Sequence, residues 1–260
     1  MVLPLNNRKV LELKGSDSRK FLQNLVSNDV NSLNDKLVYS ALLTPQGKYI
    51  ADFFIVPLKD AIGIDVHVGV AQTLLEKLKM YKLRSDVEIK EGDLSVALGL
   101  TKAPTGALSD PRHPKMGWRL YRRDAAEFNQ MVDWTKLRID YMIPEYGSEL
   151  TEESYILEMG FERLQGVDFK KGCYTGQEIV ARMFYRSTPK KRLYPLSADV
   201  QLAPEAEVAD SASEEMIKPL IIAGNAMLAQ LDIDPASRKL TLAGDPSTEL
   251  TVKEPAYFAK

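Results

Sequence analysis

The sequence predicts an α+β protein: an antiparallel sheet with helices on one face, followed by a small C-terminal β-barrel. Three observations predict it. Two β-rich runs flank a proline and glycine turn near residue 45, helical periodicity comes in isolated stretches, and after Arg192 only short β-like runs separated by turns remain.

Taken in order, Lys9-Val10-Leu11-Glu12-Leu13 reads as a strand. Gly15 and Ser16 end it and cap a helix that carries Phe21, Leu22, Leu25 and Val26 on one face. Val38 to Leu43 and Tyr49 to Val56 form a hairpin across Thr44-Pro45-Gln46-Gly47, with proline second and glycine fourth in the turn. A third strand, Ile62 to Val66, leads into a helix from Val70 to Tyr81 with Leu74, Leu75 and Leu78 inward, then a strand at Val87 to Lys90. Residues 92–115 are richer in glycine, proline and small residues and read as a boundary region, with one more strand at Leu94 to Leu100. Trp118 to Tyr121 is a short strand, and Glu127 to Tyr141 is mainly helix, ended by Ile143-Pro144 because the residue before proline avoids the α region. In the last domain the strands are Leu193 to Ala198, Pro219 to Ala223, Asn225 to Asp232, Lys239 to Ala243 and Glu249 to Lys253, with Pro204 to Glu215 as an acidic loop.

The chain has 260 residues, 45% hydrophobic and 27% charged, with a net charge of −2. That is a foldable composition, and it offers no global field for nucleic acid or a membrane surface. One cysteine excludes an internal disulfide and fits a reducing compartment. The first eight residues lack the basic segment and apolar core of a secretory signal, and no apolar run approaches the roughly 20 residues of a spanning helix. A cytoplasmic location is the expectation. No phosphate-cradling loop or dinucleotide fingerprint occurs. Two histidines, His67 and His113, and one cysteine are too few for a zinc site of the Cys/His kind, so no metal is expected.

The cysteine lies in Lys171-Gly172-Cys173-Tyr174-Thr175-Gly176-Gln177-Glu178. A lone cysteine is ordinarily a small buried hydrophobe. Here glycines on both sides imply unusual dihedrals or a close approach, neither of which burial of a thiol requires. Thr175 and Glu178 stand in capping-box relation, so a helix is expected to start there, with Ile179, Val180, Met183 and Phe184 following at helical spacing. The helix dipole and the neighbouring Lys170 and Lys171 are expected to favour the thiolate. From Asp168 to Arg192 seven basic residues face two acidic ones, a local candidate for anion binding.

The octapeptide, with Ile179-Val180-Ala181-Arg182 after it, resembles the signature of the YgfZ family of folate-binding proteins, bacterial relatives of a mitochondrial iron–sulfur assembly factor. Phe21-Leu22-Gln23-Asn24 through Asn28-Asp29-Val30, Leu43-Thr44-Pro45-Gln46-Gly47-Lys48, Ile143-Pro144-Glu145 and Lys191-Arg192 look like further landmarks in family order. The resemblance implies the three-domain architecture of the aminomethyltransferase T-protein of glycine cleavage around a tetrahydrofolate channel. The domains would be 1–45 with 112–190 (folate-binding), 46–111 (inserted) and 191–260 (barrel). It implies an accessory factor for iron–sulfur assembly or maintenance that supports tRNA-modifying radical-SAM enzymes without turnover of its own; the alternative is a folate-dependent aminomethyl transferase. Expected partners are folate and iron–sulfur enzymes or assembly proteins, with neither a membrane nor direct tRNA binding. Cys173 is the expected functional thiol, with Lys171, Gln177 and Glu178 beside it. Folate contacts are expected from Trp134, Arg8, Arg182 and Tyr174, where Arg8 stands in the place of a family tryptophan and Trp134 is ten residues before Pro144.

Overall fold

In a computed structural model the chain is described at residues 7–125, 132–186, 189–211, 215–232 and 238–253. Strand β1 (Arg8–Lys14) is followed by helix α1 (Ser18–Gln23), the hairpin of β2 (Val38–Leu43) and β3 (Tyr49–Pro57), β4 (Ile62–His67), helix α2 (Val68–Tyr81) and β5 (Glu88–Glu91). The five strands form one sheet in the order β2-β3-β4-β1-β5, antiparallel throughout. The turn is as the sequence predicts: Gly47 N–H donates to the Thr44 carbonyl at 2.9 Å. The boundary expected at residues 45/46 falls inside this sheet, between strands paired from Val38 with Ile55 to Leu43 with Tyr49.

All of β2 is buried because both faces of the sheet are covered. Val38 and Leu42 join Phe53, Ile55, Ile64, Phe21, Leu22 and the α2 residues Leu74, Leu75 and Leu78 in one core. Tyr39, Ala41 and Leu43 point the other way, into a second core with Phe54, Val56, Ile143, Phe161, Tyr174 and Val180. Helices therefore cover one face, as expected, and Met116 with residues from 139–180 covers the other. α2 opens on His67, whose Nδ1 accepts from Gly69 N–H at 3.1 Å; this histidine is a helix cap. Ser16 does not cap α1: its hydroxyl donates to Asp86 Oδ2 at 2.9 Å, and Asp17 holds the cap position.

A three-stranded sheet, β6 (Ser95–Gly99), β7 (Leu108–Ser109) and β8 (Trp118–Arg122) in the order β6-β8-β7, occupies the expected boundary region and its edge. The next described helix, α3, is Trp134–Asp140, capped by Asp133 Oδ1 accepting from Lys136 N–H at 2.9 Å. The expected helix begins at Glu127, and residues 126–131 lie outside those described.

Helix α4 (Gln177–Tyr185) follows the octapeptide, but its start differs from the expected capping box. Gly176 is the cap, at φ 82°, and no side chain caps the helix. Contact with the β2–β3 turn, described below, fixes this start.

Beyond it, β9 (Lys191–Ser197), β10 (Val208–Asp210), β11 (Glu215–Ile217), β12 (Ile221–Ala223), β13 (Ala226–Asp232), β14 (Leu240–Leu242), β15 (Asp245–Glu249) and β16 (Thr251–Val252) make two four-stranded sheets, β11-β10-β14-β15 and β12-β13-β9-β16. Leu196 and Met227 from one sheet and Val208 and Leu240 from the other share one core. The acidic stretch expected to be a loop holds β10 and the start of β11. Its inward residues Val208 and Asp210 are buried, and Asp210 is satisfied by Arg238 at 2.8 Å.

Candidate functional site

The octapeptide is held by its first charged residue. Lys171 Nζ donates to the carbonyls of Gln23, Val26 and Asn28 at 2.8, 2.6 and 2.9 Å. These carbonyls lie at and just beyond the end of α1, where helical partners run out. Burial pushes the Lys171 ammonium down to about 8, and its Nζ lies 5.1 Å from the centroid of the Tyr174 ring. The three Nζ donors of Lys171, a residue expected beside the functional thiol, are committed to backbone. The same seam is stitched by Asn28 Nδ2 donating to Gln165 O at 2.6 Å and Ser27 Oγ donating to Gly166 O at 2.6 Å.

The second hold is glycine on glycine. A Cβ on Gly176 would meet Thr44 O at 2.6 Å and Gly47 Cα at 3.2 Å; one on Gly47, itself at φ 74°, would meet Ile179 Cβ at 2.8 Å. Left-handed backbone and absent side chains are both required for this approach. Three landmark segments, 21–30, 43–48 and 171–178, thus converge. Between the two holds Cys173 is exposed and its thiol unbonded to another cysteine. Nothing lies within 4 Å of a Cβ placed on Gly172, so the backbone beside the thiol is open to an approaching group. Gln177 begins α4 and Glu178 is exposed in its first turn. Tyr174 is buried in the main core, 8% exposed.

The residues expected to contact folate sit in different surroundings. Arg8 is buried and its Nε donates to Asp65 Oδ1 at 2.6 Å, so it is part of the interior. Trp134 packs partly buried between the main core and the cluster of Val10, Val96 and Leu98. Arg182 lies on the exposed side of α4.

Two adjoining clefts lie elsewhere, of about 410 and 360 Å³, and share Glu162 and Gln165 in their walls. Tyr39, Asp168 and Lys170 line the first; Arg112, His113, Arg163 and Arg192 line the second. Glu162 Oε1 meets Arg192 Nη1 at 3.2 Å, while its Oε2 is buried with no hydrogen-bond partner among the described residues. Burial pushes the Glu162 carboxyl up. His113 stacks on Tyr141 with 4.2 Å between centroids; its Nδ1 accepts from Lys115 N–H at 3.2 Å, and burial with Arg163 nearby lowers it.

Sequence reasoning missed a buried ionic network beneath these clefts. Asp65 accepts from Arg8, from Arg119 Nη1 at 2.7 Å and from the Tyr121 hydroxyl at 2.9 Å. Arg119 Nε reaches Asp110 Oδ2 at 3.1 Å, and Arg112 binds Asp110 through Nε and Nη2 at 3.0 and 2.8 Å. The Arg119 guanidinium lies 3.8 Å from the centroid of the Phe54 ring. Burial pushes Asp110 up, but Arg112 and Arg119 outweigh it and hold the carboxyl at about 2. Asp65 is likewise lowered, Arg8 and Arg119 overcoming its burial. Beside it Asp52 accepts from the Tyr39 and Tyr49 hydroxyls at 3.0 and 2.7 Å. The available signal was a single carboxylate inside an apolar strand, at Asp52 in β3 and Asp65 in β4; Arg119 shares β8 with Arg122.

No family model matches the chain. It is 33% identical over 225 residues to the mitochondrial iron–sulfur cluster assembly factor IBA57 homolog of Mycosarcoma maydis, covering 74% of this chain and 55% of that protein. To the tRNA-modifying protein YgfZ of Aliivibrio fischeri it is 27% identical, covering 79% and 73%. The chain is a homologue of the IBA57 and YgfZ proteins. A further IBA57 homolog, from Dictyostelium discoideum, is 27% identical over 84% of this chain and 67% of its own length. This IBA57/YgfZ homologue therefore spans between 55% and 67% of the length of the two mitochondrial relatives. Its fold is that of the glycine cleavage aminomethyltransferase T of Bartonella henselae, with a TM-score of 0.72 over 97% of this chain and 84% of that one, at 12% identity. At that identity the likeness concerns fold alone.

The cytoplasmic expectation is overturned, because the relatives from M. maydis, D. discoideum and Neurospora crassa are mitochondrial proteins. One unpaired cysteine, part of its basis, suits any reducing compartment. Among the described residues no helix is long and apolar enough to cross a membrane, and none gather into a group of three or more metal-ligating side chains.

Proposed function

We propose that this protein is a folate-binding accessory factor in iron–sulfur cluster assembly, with Cys173 as its functional thiol and tRNA-modifying radical-SAM enzymes among the clients it supports. The observation that carries the reading is the exposed Cys173 on a backbone fixed from both sides, by the Lys171 bonds and the Gly47–Gly176 contact. A reactive group held on rigid elements meets a partner without an ordering cost. The names of the IBA57 and YgfZ relatives support the process.

For tetrahydrofolate the paired clefts are the better candidate than the expected Trp134, Arg8, Arg182 and Tyr174 set. Their size suits a drug-sized ligand. The bare Oε2 of Glu162 is a buried acceptor that a pterin N–H would satisfy, and Lys170 in the wall of the first cleft suits a glutamate tail. Tetrahydrofolate, when bound, supplies a carrier of one-carbon units. The chain's own residues would orient it: the Glu162 carboxyl at the head, the Lys170 ammonium at the tail. The three-domain division around a central channel, with a C-terminal barrel, belongs to the same proposal. The transferase alternative has the T-protein fold for support and no residue of its own.

Two experiments test the reading. Cells lacking the protein are complemented with wild type or Cys173→Ala, and an iron–sulfur enzyme and tRNA thiolation are assayed; the alanine variant is expected to fail, and full rescue would sink the thiol. Tetrahydrofolate is titrated calorimetrically into wild type and Glu162→Ala. We expect saturable heat in the first and at least tenfold weaker binding in the second; no heat in either would remove folate from the proposal.

A further inference from the structure

The helix that leaves the octapeptide carries an uncovered aromatic group. Phe184 is 46% and Tyr185 67% exposed. Phe184 stacks on Phe169 with 3.7 Å between centroids, and Tyr185 meets both edge-on. Single exposed apolar side chains are ordinary, but three mutually packed rings at the surface resemble the anchor of an interface. The group is also rooted, since Phe169 packs against the main core. Alongside it the outer face of α4 forms a shallow groove walled by Glu178, Ala181, Arg182, Tyr185 and Arg186. Lys170 and Lys190, both exposed, extend the cationic character at either end of the segment.

We propose that Phe169, Phe184, Tyr185 and Arg186 form a docking surface for an acidic protein, whose own site is thereby brought to Cys173. This rests on the reading of Cys173 as the functional thiol. Phe169 is four residues from Cys173, and four Cα steps span at most about 15 Å, so a partner seated on the rings lies within reach of the thiol. The sign of the partner follows from complementarity: Arg182, Arg186, Lys170 and Lys190 outnumber Glu178 and Asp168. Aromatic and arginine side chains are also the types that carry interface energy. RNA is the poorer fit. A single-strand platform offers open ring faces along an extended basic groove, whereas here the rings pack on one another in a protein of net charge −2.

The test places benzoylphenylalanine at Tyr185 of the full chain and crosslinks in living cells. One adduct to another protein is expected, mapped by mass spectrometry to an acidic segment, and Arg186→Glu should reduce it at least tenfold. The double variant Phe184→Ala/Tyr185→Ala should melt within a few degrees of wild type yet support several-fold less iron–sulfur enzyme activity. Absence of an adduct, an adduct to RNA or to a second copy of this chain, or an adduct indifferent to Arg186→Glu would overturn the proposal. The two readings fail separately: full activity of Cys173→Ala with the adduct intact removes the thiol, whereas an inactive Cys173→Ala without any adduct removes only the docking surface.

Discussion

Two regions use buried cations in opposite ways. In the network of Asp65, Arg8, Arg119, Asp110 and Arg112 each cation meets a carboxylate, three guanidiniums sharing two carboxylates, so every buried cation has a counter-ion. At the octapeptide Lys171 meets three neutral carbonyls, and its ammonium is destabilised enough to fall to about 8. The first region fixes the geometry of the strands that floor the clefts. The second fixes one loop, with weaker means, and leaves a thiol outside. Arginines paired with carboxylates thus fix the interior, whereas a lysine on neutral carbonyls holds the exposed loop.

The contrast is broken most directly by Asp65→Ala. It leaves Arg8 and Arg119 without the carboxylate they share, and we expect a loss of about 3–5 kcal/mol in denaturant unfolding. A loss under about 1 kcal/mol would mean the network is not held by its charges. Next comes Gly176→Ala, which forces a side chain into left-handed backbone and against Thr44 O; about 2–3 kcal/mol is expected, while Gly172→Ala, facing open space, should change stability by no more than about 0.5 kcal/mol. Lys171→Met should cost about 1–3 kcal/mol by stranding carbonyls. It also carries a pH signature. Between about 8 and the ordinary 10.5 the unfolded chain holds a proton at Lys171 that the folded chain has released, so this group's contribution to stability rises with pH across that window. The methionine variant should flatten that rise; an unchanged slope would place the titration elsewhere. Smallest in stability is Cys173→Ala, exposed and expected within about 0.5 kcal/mol of wild type, so that any functional loss reads as chemistry.

What the sequence made legible follows from local physics. Pro45 and Gly47 declare the hairpin, and the spacing of Leu74, Leu75 and Leu78 declares α2, because both elements are decided within a few residues. The start of α4 was misread for the opposite reason. Thr175 and Glu178 have capping-box spacing, but contact with a turn more than a hundred residues earlier places the cap at Gly176. β10 was hidden among acidic residues, of which Asp210 is satisfied by Arg238 and Glu205 and Glu207 face solvent only in three dimensions. At the site, Cys173 stood out by composition and its glycine flanks. Lys171 as a carbonyl clamp, Glu162 with a bare oxygen, and Arg8 as an interior residue depended on long-range partners that no spacing announces.

The approach of Gly47 to Gly176 also orders events in time. Closing so long a loop is entropically unfavourable until the sheet beneath it exists. During synthesis the hairpin is complete long before the cysteine is made, and the octapeptide takes its shape only by landing on that finished turn. A chain still growing therefore carries its thiol in an unarranged segment, and the arrangement around Cys173 is available only to molecules whose first sheet has already folded correctly.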